Sequence, residues 1–382
     1  MSFARTSSIL TRCGFASLAL LILGAGNVQA ADEPKSSAAD AKTYQETVQK
    51  GIDFLKNKGQ AEDGSFSSAI GPGVTAIVAT SMLENGRTAT DPSVAKALKY
   101  LEGFVQPDGG VYSPKSRIRN YETCLALVCF KAANTDKKYD KILANGEKFL
   151  KGLQFSEADG RTPAEVSYGG VGYGGSERPD LSNTHFLTEA LEAAGATADD
   201  EAVKRALIFI SRCQNLESAN NTEAFAAKNP DGGFIYTPAG GGQSPAGKTA
   251  NGGLRSYGSM SYAALKSMIF AGLKADDPRV KAAVDWAKKN YSLTENPGLG
   301  DEGLYYYYHL FAKALNALGE PTLTDDTGKQ HDWRAEVIEE LAKRQQPDGS
   351  WVNKSKKWME GDPNLVTGYA LLTLSYCKPI AK

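Results

Sequence analysis

A short phrase recurs six times along the chain and limits what the chain can fold into. The copies are Ala61–Phe66 (AEDGSF), Gln106–Tyr112 (QPDGGVY), Gln154–Gly160 (QFSEADG), Asn229–Tyr236 (NPDGGFIY), Pro297–Tyr305 (PGLGDEGLY) and Gln346–Trp351 (QPDGSW). Each is a Gly-rich turn, usually Asp-Gly, and most copies carry an aromatic just after it. Each sits between two helix-like stretches. A period of roughly 45–70 residues built this way is the signature of a repeat architecture.

The helix after each turn gives the register. Thr75, Thr123, Thr184, Ser261, Tyr308 and Thr367 are equivalent, and eleven residues later stand Gly86, Asn134, Gly195, Gly272, Gly319 and Lys378. Gly or Asn closes five of the six, as expected of a residue leaving a helix in the left-handed conformation. Between these marks run VTAIVATSML, ETCLALVCF, NTHFLTEAL, SYAALKSM, YHLFAKAL and VTGYALLTL, apolar nearly all round. A helix of that kind is buried on most sides. The helix before each turn shows apolar residues at three-and-four spacing with Lys and Glu between, as in VKRALIFISRC, and is half exposed. Six pairs of this kind predict an all-α protein: an (α/α)6 toroid with apolar helices inside and amphipathic helices outside. Residues 44–382 form this single domain. The 382 residues suffice for one large domain, and 41% hydrophobic with 23% charged residues is globular rather than disordered composition.

Residues 1–30 read as a signal peptide. Arg5 and Arg12 precede the apolar run Phe15–Leu23, and Val28-Gln29-Ala30 offers small residues for cleavage after Ala30. The run is too short for a membrane span. Residues 31–43 read as a flexible leader. A secreted or periplasmic protein is expected. Removing Arg5 and Arg12 from 43 basic residues leaves 41 against 44 acidic ones, a net charge near −3. Without a basic block, nucleic acid and anionic membrane are poor partners. Cys124, Cys129, Cys213 and Cys377 read as small buried apolar residues. Disulfide connectivity cannot be read from spacing, and neither can the oligomeric state.

The QPDGSW of Gln346–Trp351 resembles the Gln-Trp repeat of squalene–hopene cyclases, and QPDGG at Gln106–Gly110 is a weaker copy. With six helix pairs, the chain from about Tyr44 to Cys377 resembles the terpenoid cyclase and protein prenyltransferase superfamily. That resemblance implies two chemistries. Cyclases of the second class protonate an alkene with D-x-D-D-T. The matching segment here is Asp180-Leu181-Ser182-Asn183-Thr184, where Ser182 and Asn183 replace the central acids and cannot protonate an alkene. Prenyltransferases hold zinc through D-x-C and a His. His309 resembles that His, but Tyr257-Gly258-Ser259 stands where D-x-C belongs. No metal and no cofactor are expected, and whether the protein is an enzyme is left open. No thioester-forming Gly-Cys-Gly-Glu-Gln occurs either.

What remains is a polar and aromatic set at the inner-helix starts. Asp180, Asn183, His185, Tyr307 and His309 are the candidates for catalysis. Tyr168, Tyr173, Arg178, Arg255, Tyr257, Tyr262 and Tyr305 are the candidates for ligand binding, and Glu122 stands near them. Against each is a plainer role: Asp180 as a helix cap, Asn183 as a loop hydrogen-bonder, the histidines as core residues, two or more of the tyrosines as packing. By the register, His185 and His309 share one slot with Ala76, Cys124, Tyr262 and Gly368. The loop Ala239–Gly253 precedes an inner helix and can cover the cavity. Three functions follow. The first is a central cavity binding an isoprenoid-like or other apolar ligand, since ring faces also stabilise carbocations. The second is a non-catalytic scaffold with a filled centre. The third is a polysaccharide lyase-like enzyme, with Asn183, Arg255, His309 and Tyr307 converging on an open groove.

Overall fold

The computed structural model describes residues 38–174 and 178–379. The segment read as a signal peptide lies outside them. So does the leader up to residue 37, and its remainder begins a helix. The helices are α1 (Ala38–Phe54), α2 (Gly73–Glu84), α3 (Pro92–Glu102), α4 (Arg119–Ala133), α5 (Asp140–Lys151), α6 (Leu181–Ala194), α7 (Glu201–Arg212), the short α8 (Ala224–Lys228), α9 (Gly258–Phe270), α10 (Pro278–Lys289), α11 (Leu304–Leu318), α12 (Trp333–Arg344) and α13 (Pro363–Ser375). A two-stranded hairpin, β1 (Leu323–Thr324) and β2 (Gln330–His331), pairs Leu323 with His331. No helix among the described residues is long and apolar enough to cross a membrane.

Helices α2, α4, α6, α9, α11 and α13 each pack against the next, and α13 packs back against α2. These are the six apolar helices of the sequence, closed into a ring. Their burial is nearly complete: ten consecutive residues of α2 (Gly73–Met82) and ten of α13 (Leu365–Leu374) are buried. The amphipathic helices α1, α3, α5, α7, α10 and α12 form the outer layer. Asp91, Asp200, Asp277 and Asp332 cap four of them by accepting a backbone N–H. The protein is therefore an α/α toroid.

The recurrent turn is what couples the layers. Asp63, Asp108, Asp231 and Asp348 each accept the backbone N–H two residues on, at 3.0–3.1 Å. The Gly that follows each Asp has positive φ, and so does Gly169. A Cβ on Gly109 would lie 2.7 Å from the carbonyl oxygen of Asn145, and on Gly232 2.5 Å from that of Ala282. Both carbonyls belong to the next outer helix, so only glycine fits on two counts. Gln60, Gln154, Gln214 and Gln345 donate both to their own turn and to the carbonyls of Ser93, Ala202, Arg279 and Thr47 on a neighbouring outer helix or at its start. The residue after each turn is bound inward. Backbone N–H groups of Phe66, Val111, Val171, Phe234 and Trp351 donate to the hydroxyls of Thr75, Thr123, Thr184, Ser261 and Thr367. In five of the six repeats the register position deduced from the sequence is thus a buried hydroxyl that ties the turn to its inner helix; in the fifth repeat Tyr308 instead donates to the Leu293 carbonyl.

One turn differs from the expected assignment. The third copy starts at Gln154 as read, but its glycine is Gly169 rather than Gly160. Residues 156–167 make an excursion before the chain returns to the turn site, where Phe155 and Gly169–Gly170 pair through their backbones. Tyr168 thereby occupies the place of the turn aspartate. Cys124, Cys129, Cys213 and Cys377 are free and buried.

Candidate functional site

The starts of the inner helices and the loops before them surround a cavity of about 610 Å³. Its wall repeats with the fold. The residue two before each register hydroxyl lines it in all six repeats: Gly73, Tyr121, Ser182, Ser259, Tyr306 and Leu365. Four residues further on, Phe186 and Tyr369 line it too, as side chains at i and i+4 share a helix face. One residue before the hydroxyl, Val74, Glu122, Asn183 and Met260 complete the wall. Tyr173, Tyr236, Gln243–Pro245, Tyr257 and Trp358–Glu360 come from the loops.

The rings touch one another. Tyr121 meets Phe186 edge-on at 4.9 Å between centroids, Phe186 stacks on Tyr306 at 6.0 Å, and Tyr306 lies 5.7 Å from Tyr369. The hydroxyls of Tyr369 and Tyr121, 3.4 Å apart, close the circuit. Two carboxyls line the same space. Glu360, 1% exposed, accepts from the Tyr306 backbone N–H (2.8 Å) at the start of α11 and from Asn353 Nδ2 (2.5 Å). Burial pushes its carboxyl up to about 7, with those donors opposing. Glu122, 2% exposed, accepts the Ser113 N–H (3.2 Å), and burial raises it too. At the mouth stand Ile70, Tyr173, Trp358 and Met359, each exposed. Trp358 and Met359 hold φ of 51° and 67°, a left-handed backbone costly for side-chain-bearing residues.

Of the twelve residues singled out in the sequence, Asn183, Tyr173, Arg178 and Tyr257 line this cavity. The other eight lie elsewhere. Asp180 is buried as the N-cap of α6: Oδ1 accepts the Asn183 N–H and Oδ2 accepts from Asn183 Nδ2, both 2.8 Å. Burial raises it to about 6. Tyr168 donates to Glu157 (2.5 Å) in its turn. Tyr307 donates to the Ser292 carbonyl (2.7 Å) and packs on Tyr262, which is fully buried. Tyr305 is buried against Tyr308. Arg255 is exposed and donates from Nε to the Lys248 carbonyl. Asn183, Arg255, Tyr307 and His309 therefore do not meet in one groove.

His185 and His309 do not line the cavity but lie next to two of its wall residues, Phe186 and Tyr369. Nδ1 of His185 meets Ser267 Oγ at 3.0 Å, and Nε2 lies 3.2 Å from Glu189. Glu189 pairs with Lys313, and Lys266 pairs with Glu192. Burial pushes Glu189 up, but Lys313, His185 and Lys266 outweigh it and hold the carboxyl well below its usual range. Burial, aided by Lys313, lowers His309 to about 3. These groups form a charged cluster rather than part of the cavity wall. No group of three or more potential metal ligands occurs among the described residues.

The wall and the histidine slot stand two or three residues apart along each inner helix. The slot one residue after the hydroxyl carries both histidines. The cavity uses the positions one and two residues before it. Each residue turns the helix by about 100°, so the difference decides whether a side chain faces the cavity or a neighbouring helix. Glu360 lies in the loop WMEGDP, where no periodicity marks it.

Comparison with known proteins agrees with this architecture. A family profile described as the squalene-hopene cyclase C-terminal domain matches residues 70–236. No curated protein matches the chain. Among solved structures, a variant of the type II terpene cyclase MstE from Scytonema, in complex with geranylgeranyl dihydroxybenzoate, is similar at 13% identity and TM-score 0.54. The likeness covers 89% of this chain and 99% of that one. A protein from Actinoplanes is similar at 16% identity and TM-score 0.52, covering 87% and 99%. A glycosyl hydrolase family 88 protein from Bacteroides vulgatus is similar at 10% identity and TM-score 0.50, covering 88% and 98%. Ring, turns and matched segment agree on an α/α toroid whose fold is similar to that of the type II terpene cyclases.

Proposed function

We propose that the protein is an exported binding toroid whose central cavity takes an apolar, isoprenoid-like ligand. One observation carries the reading: the ring encloses a cavity of about 610 Å³ walled by Tyr121, Phe186, Tyr306 and Tyr369 rather than packing its centre full. That volume is in the range of small-molecule sites, and aromatic walls bind flexible hydrocarbon at low entropic cost. The exposed apolar mouth supports entry of such a ligand from one side, since large exposed apolar side chains gathered at one place usually mark a binding site. A protein of the same fold is known with geranylgeranyl dihydroxybenzoate bound. Export is supported by the leading segment of the sequence alone.

Asp180 serves as the cap of α6 rather than as an acid. Both of its oxygens hold the start of α6, and Ser182 and Asn183 beside it cannot protonate an alkene.

Native mass spectrometry of the mature protein with added geranylgeraniol is the test. One equivalent should be retained, and Ser182→Trp, which fills the cavity from its wall, should lower retention at least tenfold while leaving helix content unchanged. Failure to retain the alcohol, or retention that ignores the filled cavity, would overturn the proposal.

A further inference from the structure

One self-contained loop stands at the mouth of the cavity. Residues 353–360 leave the body of the protein and return to it at the same point. The Asn353 N–H donates to the Glu360 carbonyl (2.8 Å), and Asn353 Nδ2 donates to Glu360 Oε2 (2.5 Å). The same two residues fasten the loop to the start of α11. Asn353 Nδ2 also donates to the Asp301 carbonyl (2.6 Å), and Glu360 Oε1 accepts the Tyr306 N–H (2.8 Å). Both ends are buried, whereas residues 354–359 between them are exposed or half-buried. Compact loops whose ends meet in this way are frequently functional.

The tip of the loop is lightly held. Lys357 pairs with Glu302 at 2.6 Å, with both side chains largely in solvent, and an exposed ion pair is a weak tie. The Trp358 ring lies over Gly303, where a Cβ would come within 3.0 Å of it. Trp358 and Met359 are adjacent and both left-handed. Residues with side chains keep that backbone only where the surroundings impose it, and such residues gather at ligand clamps and switch segments. Trp358 and Met359 line the cavity and are also 49% and 40% exposed. They stand between the cavity and solvent, and each buries apolar surface by settling on an apolar ligand. The hinge touches the wall as well, since the N–H that Glu360 accepts belongs to Tyr306, a lining residue.

We infer that residues 354–359 are a flap over the cavity, hinged at the Asn353–Glu360 pair, which lifts Trp358 and Met359 off the mouth to admit the ligand and lowers them onto it afterwards. This rests on the cavity-binding reading above and adds how the ligand enters and leaves.

The motion can be tested without a ligand, by relaxation-dispersion NMR of the mature protein carrying isotope-labelled tryptophan. Of its tryptophans, Trp286, Trp333 and Trp351 are buried. The Trp358 indole signal, assigned by its loss in Trp358→Phe, should show microsecond-to-millisecond exchange, and the other three should not. A Trp358 signal without exchange would overturn the flap and leave the cavity reading in place. Gating is tested by stopped-flow binding of geranylgeraniol. Lys357→Ala and Glu302→Ala each cut the surface tie and leave the cavity wall intact. Each should raise the association and dissociation rates together, by about two- to fivefold, with little change in affinity. Unchanged rates, or a change in dissociation alone as for a lost contact, would overturn the flap. Wild type that binds no geranylgeraniol would overturn the cavity reading instead, and exchange at Trp358 would still decide the flap.

Discussion

Glu360 is the residue where burial and function conflict most plainly. Its carboxyl is raised from 4.5 to about 7 by burial, so between those values the folded protein holds a proton that the unfolded chain has lost. Stability from this group is therefore greatest at and below pH 4.5 and falls as pH rises toward 7. The shift corresponds to about 3 kcal/mol in full. Denaturant titrations of wild type and Glu360→Gln at pH 4.5 and pH 8 should show wild type losing most of that amount relative to the variant. A difference independent of pH would mean that Glu360 is not desolvated as described. Glu189 is the opposite case. It is buried with Lys313 and Lys266 close by, so Glu189→Ala strands buried positive charge. The expected loss is about 3–5 kcal/mol, whereas Glu189→Met with Lys313→Met should recover much of it. If the single variant costs under about 1 kcal/mol by the same measurement, the cluster is solvated rather than buried.

At the scale of the element, the fold depends on turns as much as on helices. The Asp-Gly turn must satisfy its own backbone, accept an outer helix at contact distance and present one N–H to a hydroxyl on the inner helix. Gly109→Ala meets both a left-handed backbone, φ 94°, and the Asn145 carbonyl at 2.7 Å. Gly86→Ala meets the first obstacle alone, with φ 87° and open space around it. The difference between the two melting temperatures isolates the packing part. Gly86→Ala should cost about 1 kcal/mol, and Gly109→Ala at least about 2 kcal/mol more, as a forced shift of packed backbone. Equal losses would show that the outer helix yields freely. The recurrence of Asp-Gly was legible in the sequence because each of these demands selects the same residue types. The third copy was not, because Tyr168 replaces the aspartate and the excursion 156–167 separates Gln154 from Gly169.

At the scale of the whole molecule, the ring is closed by contacts between residues nearly 300 positions apart. Asn85 Nδ2 donates to the Leu371 carbonyl, Ser67 Oγ donates to Asp362, and Gln345 Nε2 reaches the Thr47 carbonyl. Gly368 lets α13 approach Ile77 and Val78 of α2 so closely that a Cβ would lie 2.9 Å from the Ile77 side chain. An open array of repeats tolerates loss of an end, because each unit contacts only its neighbours. A closed ring does not, since removing α13 exposes the apolar faces of both α2 and α11. Truncation before Pro363 should therefore abolish the single cooperative unfolding transition and give a dye-binding, partly ordered chain. A truncated protein that still melts in one sharp step would show that closure is not required.

The order and type of the twelve major helices follow from the sequence by itself, and so do their inner or outer place and the register of the inner helices. Each depends on local periodicity, on turn chemistry or on repetition, and these are properties of neighbouring residues. That Ser182 and Asn183 stand where the resemblance implies acids was equally plain, since it is a matter of which residues are present. The cavity wall was decided only in three dimensions. Tyr121, Phe186, Tyr306 and Tyr369 are ordinary apolar positions of four separate helices until ring closure turns them toward one point. Glu360 is one acid in a polar loop until burial at the start of α11 makes it part of the wall. His185 and His309 stood out as rare residues in a shared slot, yet helical rotation sends that slot behind the aromatic wall, into the cluster around Glu189. Side-chain direction around a closed ring depends on the packing of every repeat, and no single stretch of sequence contains it.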